Sequence, residues 1–138
     1  MDIVSLEGML LITEDSIGGV WIRLEGGIEH GPSCSISNWT VDTPVFGCNF
    51  NYNSDKDVEY VTEFIPVEFD TWYAVRIEYD PITPEVRYYL DDQLIGQNVP
   101  KQPLGYVSIN IGAYKYFATD HFEIDVDDVI LKTRSQSP

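Results

Sequence analysis

Short stretches in which apolar and polar residues alternate run along most of the chain, punctuated by Gly and Pro at Gly18-Gly19, Gly26-Gly27, Gly31-Pro32, Pro66, Pro81, Pro84, Pro100 and Pro103. Period-two alternation between turn signals is the mark of a half-buried strand. Residues 19–25 set Val20, Ile22 and Leu24 against Trp21, Arg23 and Glu25. Residues 45–52 set Phe46, Cys48, Phe50 and Tyr52 against Gly47, Asn49 and Asn51. The stretch from Trp72 to Tyr79 places Tyr73, Val75, Ile77 and Tyr79 on one face, and Val86, Tyr88 and Leu90 alternate with Arg87 and Tyr89. Val107, Ile109 and Ile111 share a face, and a last strand runs from about Phe122 to Leu131. In that strand the apolar phase slips between Val126 and Val129, which predicts a bulge near Asp127 and Asp128. Weaker strands are expected near 3–6, 9–13, 34–39 and 58–65, and no window reads as an amphipathic helix.

Many short strands with turns every 8–12 residues predict an all-β, two-sheet antiparallel sandwich. One hairpin register follows from parity. If Tyr79 opposes Val86, then Ile77 opposes Tyr88, Glu78 opposes Arg87 and Arg76 opposes Tyr89, which keeps every apolar residue on one face. That register predicts a cross-strand ion pair and a cation–π contact. Cys34 and Cys48 both follow the inward parity of their segments, so they are read either as a bridge across two strands or as two buried thiols.

Composition sharpens this picture. Three alanines stand against 13 Val, 14 Ile, 8 Thr and 18 aromatic residues, a balance that favours strands over helices. The 138 residues suffice for one core, expected over residues 1–133, with 134–138 read as a tail or linker stub. With 23 acidic and 8 basic residues, the formal net charge is −15. That excludes partners held through a phosphate backbone, which need clustered Lys and Arg, and argues against docking on anionic lipid. The longest purely apolar run is Met9–Ile12, far short of the ~20 residues of a membrane helix. The opening residues carry acid where a secretory leader carries base, so no leader is expected in this chain. Asn38-Trp39-Thr40 is a glycosylation sequon.

The run Trp72-Tyr73-Ala74-Val75-Arg76-Ile77-Glu78-Tyr79-Asp80, followed by Val86-Arg87-Tyr88-Tyr89-Leu90-Asp91-Asp92-Gln93-Leu94-Ile95-Gly96, resembles the paired strands of concanavalin A-like lectin/glucanase jelly rolls, including laminin G-like modules. The closing strand Ile124–Leu131 also resembles that family's last strand, and the resemblance spans roughly residues 45–132. Where those modules have an Asp-Gly turn, this chain has Asp91-Asp92. The resemblance implies a jelly-roll sandwich. It specifies the ligand hardly at all, because this fold hosts many functions.

Three chemistries are weighed. Laminarinase-type glycoside hydrolases of the resembling fold carry acids alternating along one strand, which implies Glu123, Asp125 and Asp127 as catalytic candidates. Here the third acid is shortened, the triplet lies at the end of the chain, and the bulge is expected to take Asp127 off the shared face, so the chain is read as a non-enzyme. Asn51, Asn53, Asp55 and Asp57 alternate as oxygen donors for a hard cation, yet Lys56 and Thr62 occupy the places where a calcium loop needs Gly and Glu. The resemblance adds Asp80, Asp91 and Asp92 as calcium candidates. No cofactor is required, and calcium is kept open. For glycan binding, Trp21 on a polar strand face, Trp39 in a loop, Tyr114 and Tyr116 around Lys115, and the Arg87–Tyr89 pair supply aromatic platforms and polar groups. Arg76 and Arg87 are equally explained by the hairpin itself. His30 and His121 have no nucleophile at a telling spacing and are read as surface residues.

The sequence therefore predicts a non-catalytic recognition module, carbohydrate-binding, forming part of a larger extracellular or cell-surface protein with flanking domains. Its ligand would be a glycan or a protein, with no nucleic acid and no membrane insertion. The alternative is a structural or protein-adhesion sandwich without a sugar site.

Overall fold

Alternating sequence becomes alternating burial in many strands of the computed structural model, which describes residues 2–14, 16–27, 30–38, 43–53, 57–105, 107–115 and 123–135, with Lys115 described by its backbone only. The strands are β1 (Ile3–Ile12), β2 (Gly18–Glu25), β3 (Gly31–Asn38), β4 (Val45–Asn51), β5 (Val58–Tyr60), β6 (Ile65–Pro66), β7 (Tyr73–Asp80), β8 (Glu85–Leu90), β9 (Gln93–Asn98), β10 (Ser108–Lys115) and β11 (Ile124–Arg134). They form two antiparallel sheets, one in the order β11-β1-β7-β8-β9 and the other β10-β2-β3-β4-β5, with β6 paired to β4. This is the expected two-sheet jelly-roll sandwich. Strand β11 reaches Arg134, one residue into the expected tail, and Gln136–Pro138 lie outside the described residues.

The core lies between the sheets. Leu6, Leu10 and Ile12 of β1 meet Val20, Ile22 and Leu24 of β2, with Ile36, Phe46, Phe50, Ile77 and Tyr88 filling the centre. The stretches expected at 3–6 and 9–13 are one strand, because Gly8 continues the inward phase between Leu6 and Leu10. The expected bulge sits opposite Gly8: β11 pairs Ile130 with Glu7 and Asp127 with Met9, and Asp128 takes a left-handed φ of 51°. Because the extra residue follows Asp127, that residue stays in phase with Asp125, contrary to the sequence expectation.

Cys34 and Cys48 are direct cross-strand partners and form a disulfide. The β7–β8 register is the one parity demanded, from Arg76 opposite Tyr89 to Tyr79 opposite Val86. Arg76 stacks 3.9 Å above the Tyr89 ring, as expected. The ion pairing differs: Arg87 binds Glu85 at 3.1 Å, and Glu78 lies 3.4 Å from Arg76. Partners two apart on one strand share a face, so each Arg finds a same-strand carboxylate as readily as the cross-strand one.

Strand β9 was not anticipated. Its alternation is broken by a bulge between the Tyr88 and Tyr89 pairings and by Gly96. It is joined to β8 by a two-residue turn in which both Asp91 and Asp92 have positive φ, 48° and 65°. That is the backbone of a type I′ hairpin, and Asp replaces the usual Gly. The Asp91 carboxylate accepts the Ala74 amide at 2.9 Å, which holds the turn against β7.

His30 also departs from expectation: it is 2% exposed and packs edge-on against Phe50, with ring centroids 5.3 Å apart. Glycines lie on both sides of it in the chain. Gly27 and Gly31 take φ of 141° and 149°, backbone that only glycine adopts readily. The Gly26 amide closes the turn on the His30 carbonyl at 2.7 Å. His121 lies outside the described residues.

Two buried polar nodes fix the connections. Ser16 is fully buried; its hydroxyl accepts the Glu123 amide at 2.8 Å, and its carbonyl accepts Asn38 Nδ2 at 2.8 Å. The sequon asparagine is thus committed inside the fold and is not presented for glycosylation. At the other end, the Tyr88 hydroxyl donates to Asn98 Oδ1 at 2.8 Å, and Asn98 Nδ2 donates to Glu59 at 3.2 Å.

Two outcomes follow for stability. Reduction of Cys34–Cys48, which are 14 residues apart, is expected to cost about 3 kcal/mol in urea unfolding, from the loop-closure entropy returned to the unfolded chain. Tyr88→Phe is expected to cost ~1–3 kcal/mol, because Asn98 loses its buried donor. Burial pushes the Tyr88 phenol well above its ordinary value of 10.0, with Glu59 and Tyr52 adding to the shift. The folded state therefore holds that proton more tightly than the unfolded state. Stability from this group is complete below pH 10 and is lost as pH rises beyond it, and Tyr88→Phe should flatten that alkaline decline.

Candidate functional site

The structure sorts the candidate side chains onto the outer surfaces of different sheets. On the six-stranded sheet, Trp21 of β2 sits opposite Gly112 of β10, and Tyr114 of β10 sits opposite Gly19 of β2. Each ring lies over the facing glycine. A Cβ on Gly112 would overlap the Trp21 indole, and one on Gly19 would come within 2.9 Å of the Tyr114 ring. The ring centroids are 5.9 Å apart, tilted by 35°. The result is a two-ring aromatic plate laid along the sheet, an arrangement that also protects glycines on an edge strand. Around it, the indole Nε1 donates to Asn110 Oδ1 at 3.0 Å, and the Arg23 guanidinium stands 6.0 Å from the Trp21 ring, paired with Glu25 at 3.3 Å. Trp39 and Tyr116 lie outside the described residues.

Arg87 and Tyr89 belong to the other sheet, so they cannot share a site with Trp21 and Tyr114. Tyr89 is capped by Arg76, which also reaches Asp92 at 3.0 Å. Beside this cluster, sequence reasoning missed a groove of about 270 Å³ lined by Glu7, Met9, Ala74, Arg76, Asp92 and Ile130, with Asp128 at its rim. A second depression of about 170 Å³ adjoins it through Glu7 and is bordered by Ser5, Glu78, Lys132 and Arg134. The first has an apolar floor and an acidic rim around one arginine; the second is flanked by two cations. The only sequence signal for the groove is the outward parity of Glu7, Met9, Ala74 and Arg76, which reads equally as a solvated face.

Glu123, Asp125 and Asp127 are exposed along β11, and neither groove includes them. Asp127 accepts the amide of Asp128 at 2.8 Å, and the Glu123 main chain is held by Thr13 and Ser16. An acid–base pair needs its two carboxyls across a bound substrate, and this strand presents its acids on an open edge instead. The calcium candidates are also dispersed: Asn53 Nδ2 donates to Gln102 at 3.2 Å, Asp57 pairs with Lys101 at 3.5 Å, and Asn51 closes β4. Asp55 lies outside the described residues. Asp80 caps its own turn by accepting the Ile82 amide, and Asp91 and Asp92 are committed to the hairpin. Among the described residues no three His, Cys, Asp or Glu converge on a point that could hold a metal.

No family model matches the chain. Among solved structures it is similar to the binding domain of botulinum neurotoxin serotype D/C VPI 5993, at 16% identity and a TM-score of 0.53, over 94% of this chain and 32% of that one. It is also similar to the native heptameric SAP-like pentraxin from Limulus polyphemus, at 13% identity and a TM-score of 0.50, over 95% of this chain and 69% of that one. The chain thus spans about a third of the length of the toxin binding domain. At these identities the likeness establishes the shared β-sandwich fold.

The plate depends on its glycines. Gly112→Ala is expected to lift the Trp21 indole off β10, changing the near-ultraviolet circular dichroism and costing ~1–3 kcal/mol in urea unfolding. Gly105→Ala, where a Cβ meets nothing within 4 Å, should leave both unchanged.

Proposed function

We propose that this chain is a non-catalytic binding module that takes a glycan on the Trp21–Tyr114 plate, as part of a larger extracellular protein. The observation that carries this reading is the pair of rings lying over Gly112 and Gly19, 5.9 Å apart and tilted by 35°, with Asn110 and Arg23 beside them. Sugar rings present a flat C–H face and a rim of hydroxyls, which suits an apolar plate bordered by fixed polar groups. Two similar solved structures are, by name, a toxin binding domain and a pentraxin, and the exposure of Glu123, Asp125 and Asp127 outside either groove speaks for binding over hydrolysis.

A second reading, a protein-adhesion module, is favoured by the groove over β1 and β7. With its neighbouring depression it follows β1 from Met9 to Ile3, long enough for about 20 Å of extended chain.

A glycan-array screen with and without calcium separates the two. Binding is expected to specific glycans, weakened about tenfold or more by Trp21→Ala, roughly 1.4 kcal/mol or beyond, and unaffected by Arg76→Ala. If the chain binds no glycan in either condition, the sugar reading is wrong and the adhesion reading takes its place.

A further inference from the structure

We propose that the free edge of β11 is a self-association surface, pairing antiparallel with β11 of a second copy of this chain about a two-fold axis at Ile130. Strand β11 ends the five-stranded sheet and, among the described residues, pairs with β1 alone. The amide and carbonyl groups along its other edge are a template for a further strand.

The surroundings carry apolar surface that such a strand would cover. Ile130 is 43% exposed and Leu131 39%, the latter although it faces inward opposite the fully buried Leu6. On β10, Ile109 and Ile111 face inward beside the buried Leu24 and Ile22, yet stand 39% and 45% exposed. Strand β1 packs across the core from β2 and β3. One step outward from β1 is β11, and one step outward from β2 is β10, so both exposed sets lie on the same side of the sandwich.

The order of charges along β11 selects a second copy as the occupant. Its first half carries Asp125 and Asp127, and its second half carries Lys132 and Arg134, two of only eight basic residues in the chain. An antiparallel two-fold partner brings each acidic half against a basic half. With Asp128 set aside as the bulge residue, Ile130 opposite itself pairs Val129 with Leu131, Asp127 with Lys132, Val126 with Thr133 and Asp125 with Arg134. Every pair is like-facing. Asp125, Asp127, Ile130, Lys132 and Arg134 lie on the outer surface, and Val126, Val129, Leu131 and Thr133 face inward, as their register on β1 fixes. Registers displaced by one bring inward residues against outward ones, whereas the register centred on Val129 exchanges these pairs for Asp125 with Lys132 and Glu123 with Arg134; only the Ile130 register sets Asp127 against Lys132 and Ile130 against itself. The inward residues of the second copy would continue the layer opposite Ile109 and Ile111. Lys132, already 3.4 Å from Glu7, keeps that contact beside the new one.

The test uses the full chain. Sedimentation from micromolar to about 1 mM should show the mass of two chains building with concentration. Asp127→Lys, which sets like charges opposite each other twice, should raise the dissociation constant about tenfold or more, and adding Lys132→Asp should restore it. Ile130→Cys should cross-link to itself under mild oxidation, since opposed residues in an antiparallel pair lie about 4.5–5.5 Å apart at Cα. Ile82→Cys, on an exposed turn, should not. A chain that stays monomeric throughout, a dimer indifferent to Asp127→Lys, or Ile130→Cys cross-linking no better than Ile82→Cys would each overturn the proposal.

Discussion

The fold depends on β1 being buried from three sides. It is hydrogen-bonded to β7 on one edge and to β11 on the other, and it presses Leu6, Leu10 and Ile12 into the layer below. Both partners lie far along the chain, so their loop-closure entropy is recovered only if β1 buries its full inward face. Gly8 continues that inward face between Leu6 and Leu10. Its Cα faces Val129 and Ile22, where a Cβ would come to 3.5 and 3.8 Å, and the β11 bulge sits opposite it. From that one strand the rest of the architecture follows. β7 orders the β8 and β9 meander, and the Thr13–Ser16–Glu123 node ties the start of β11 to the loop that leads into β2.

The outer surfaces obey a different rule. Most described cations are used locally: Arg23 with Glu25, Arg76 with Glu78 and Asp92, Arg87 with Glu85, Lys101 with Asp57 and Lys132 with Glu7. Such partly exposed pairs each contribute well under ~1 kcal/mol, so they arrange the surface more than they hold it together. Their consequence lies in what remains. Five of the 8 bases are thus paired with carboxylates among the described residues, and 23 acids surround them.

Parity made much of this legible in the sequence. Phe46, Cys48, Phe50 and Tyr52 alternate without a break and are all buried, and the Tyr79–Val86 register followed from keeping Ile77 and Tyr88 on one face. What parity could not reach were the places where glycine or a bulge resets it. Strand β9 hides behind Gly96 and a shifted register, and His30 is buried beside Phe50 in a stretch flanked by the positive-φ Gly27 and Gly31, where no alternation signals it. The aromatic plate had a signal that alternation alone ignores. Gly19-Val20-Trp21 and Gly112-Ala113-Tyr114 repeat the same Gly-x-aromatic spacing, and antiparallel pairing of two such segments sets each ring over the other's glycine.

The acids of the closing strand show how one residue decides among chemical readings. On an unbroken strand, Glu123, Asp125 and Asp127 would differ from the resembling hydrolases by a single methylene. The bulge at Asp128 leaves them in phase with one another but moves the next outward position to Ile130, an apolar residue at the edge of the groove. Beyond it the outward positions turn basic, at Lys132 and Arg134. A strand that runs acid, apolar, base along one face is poorly suited to hold two carboxyls around a sugar bond, which needs both acids to converge. The same order is complementary to its own reverse, so the feature that weakens the catalytic reading is the one that would suit this edge to a second copy of itself.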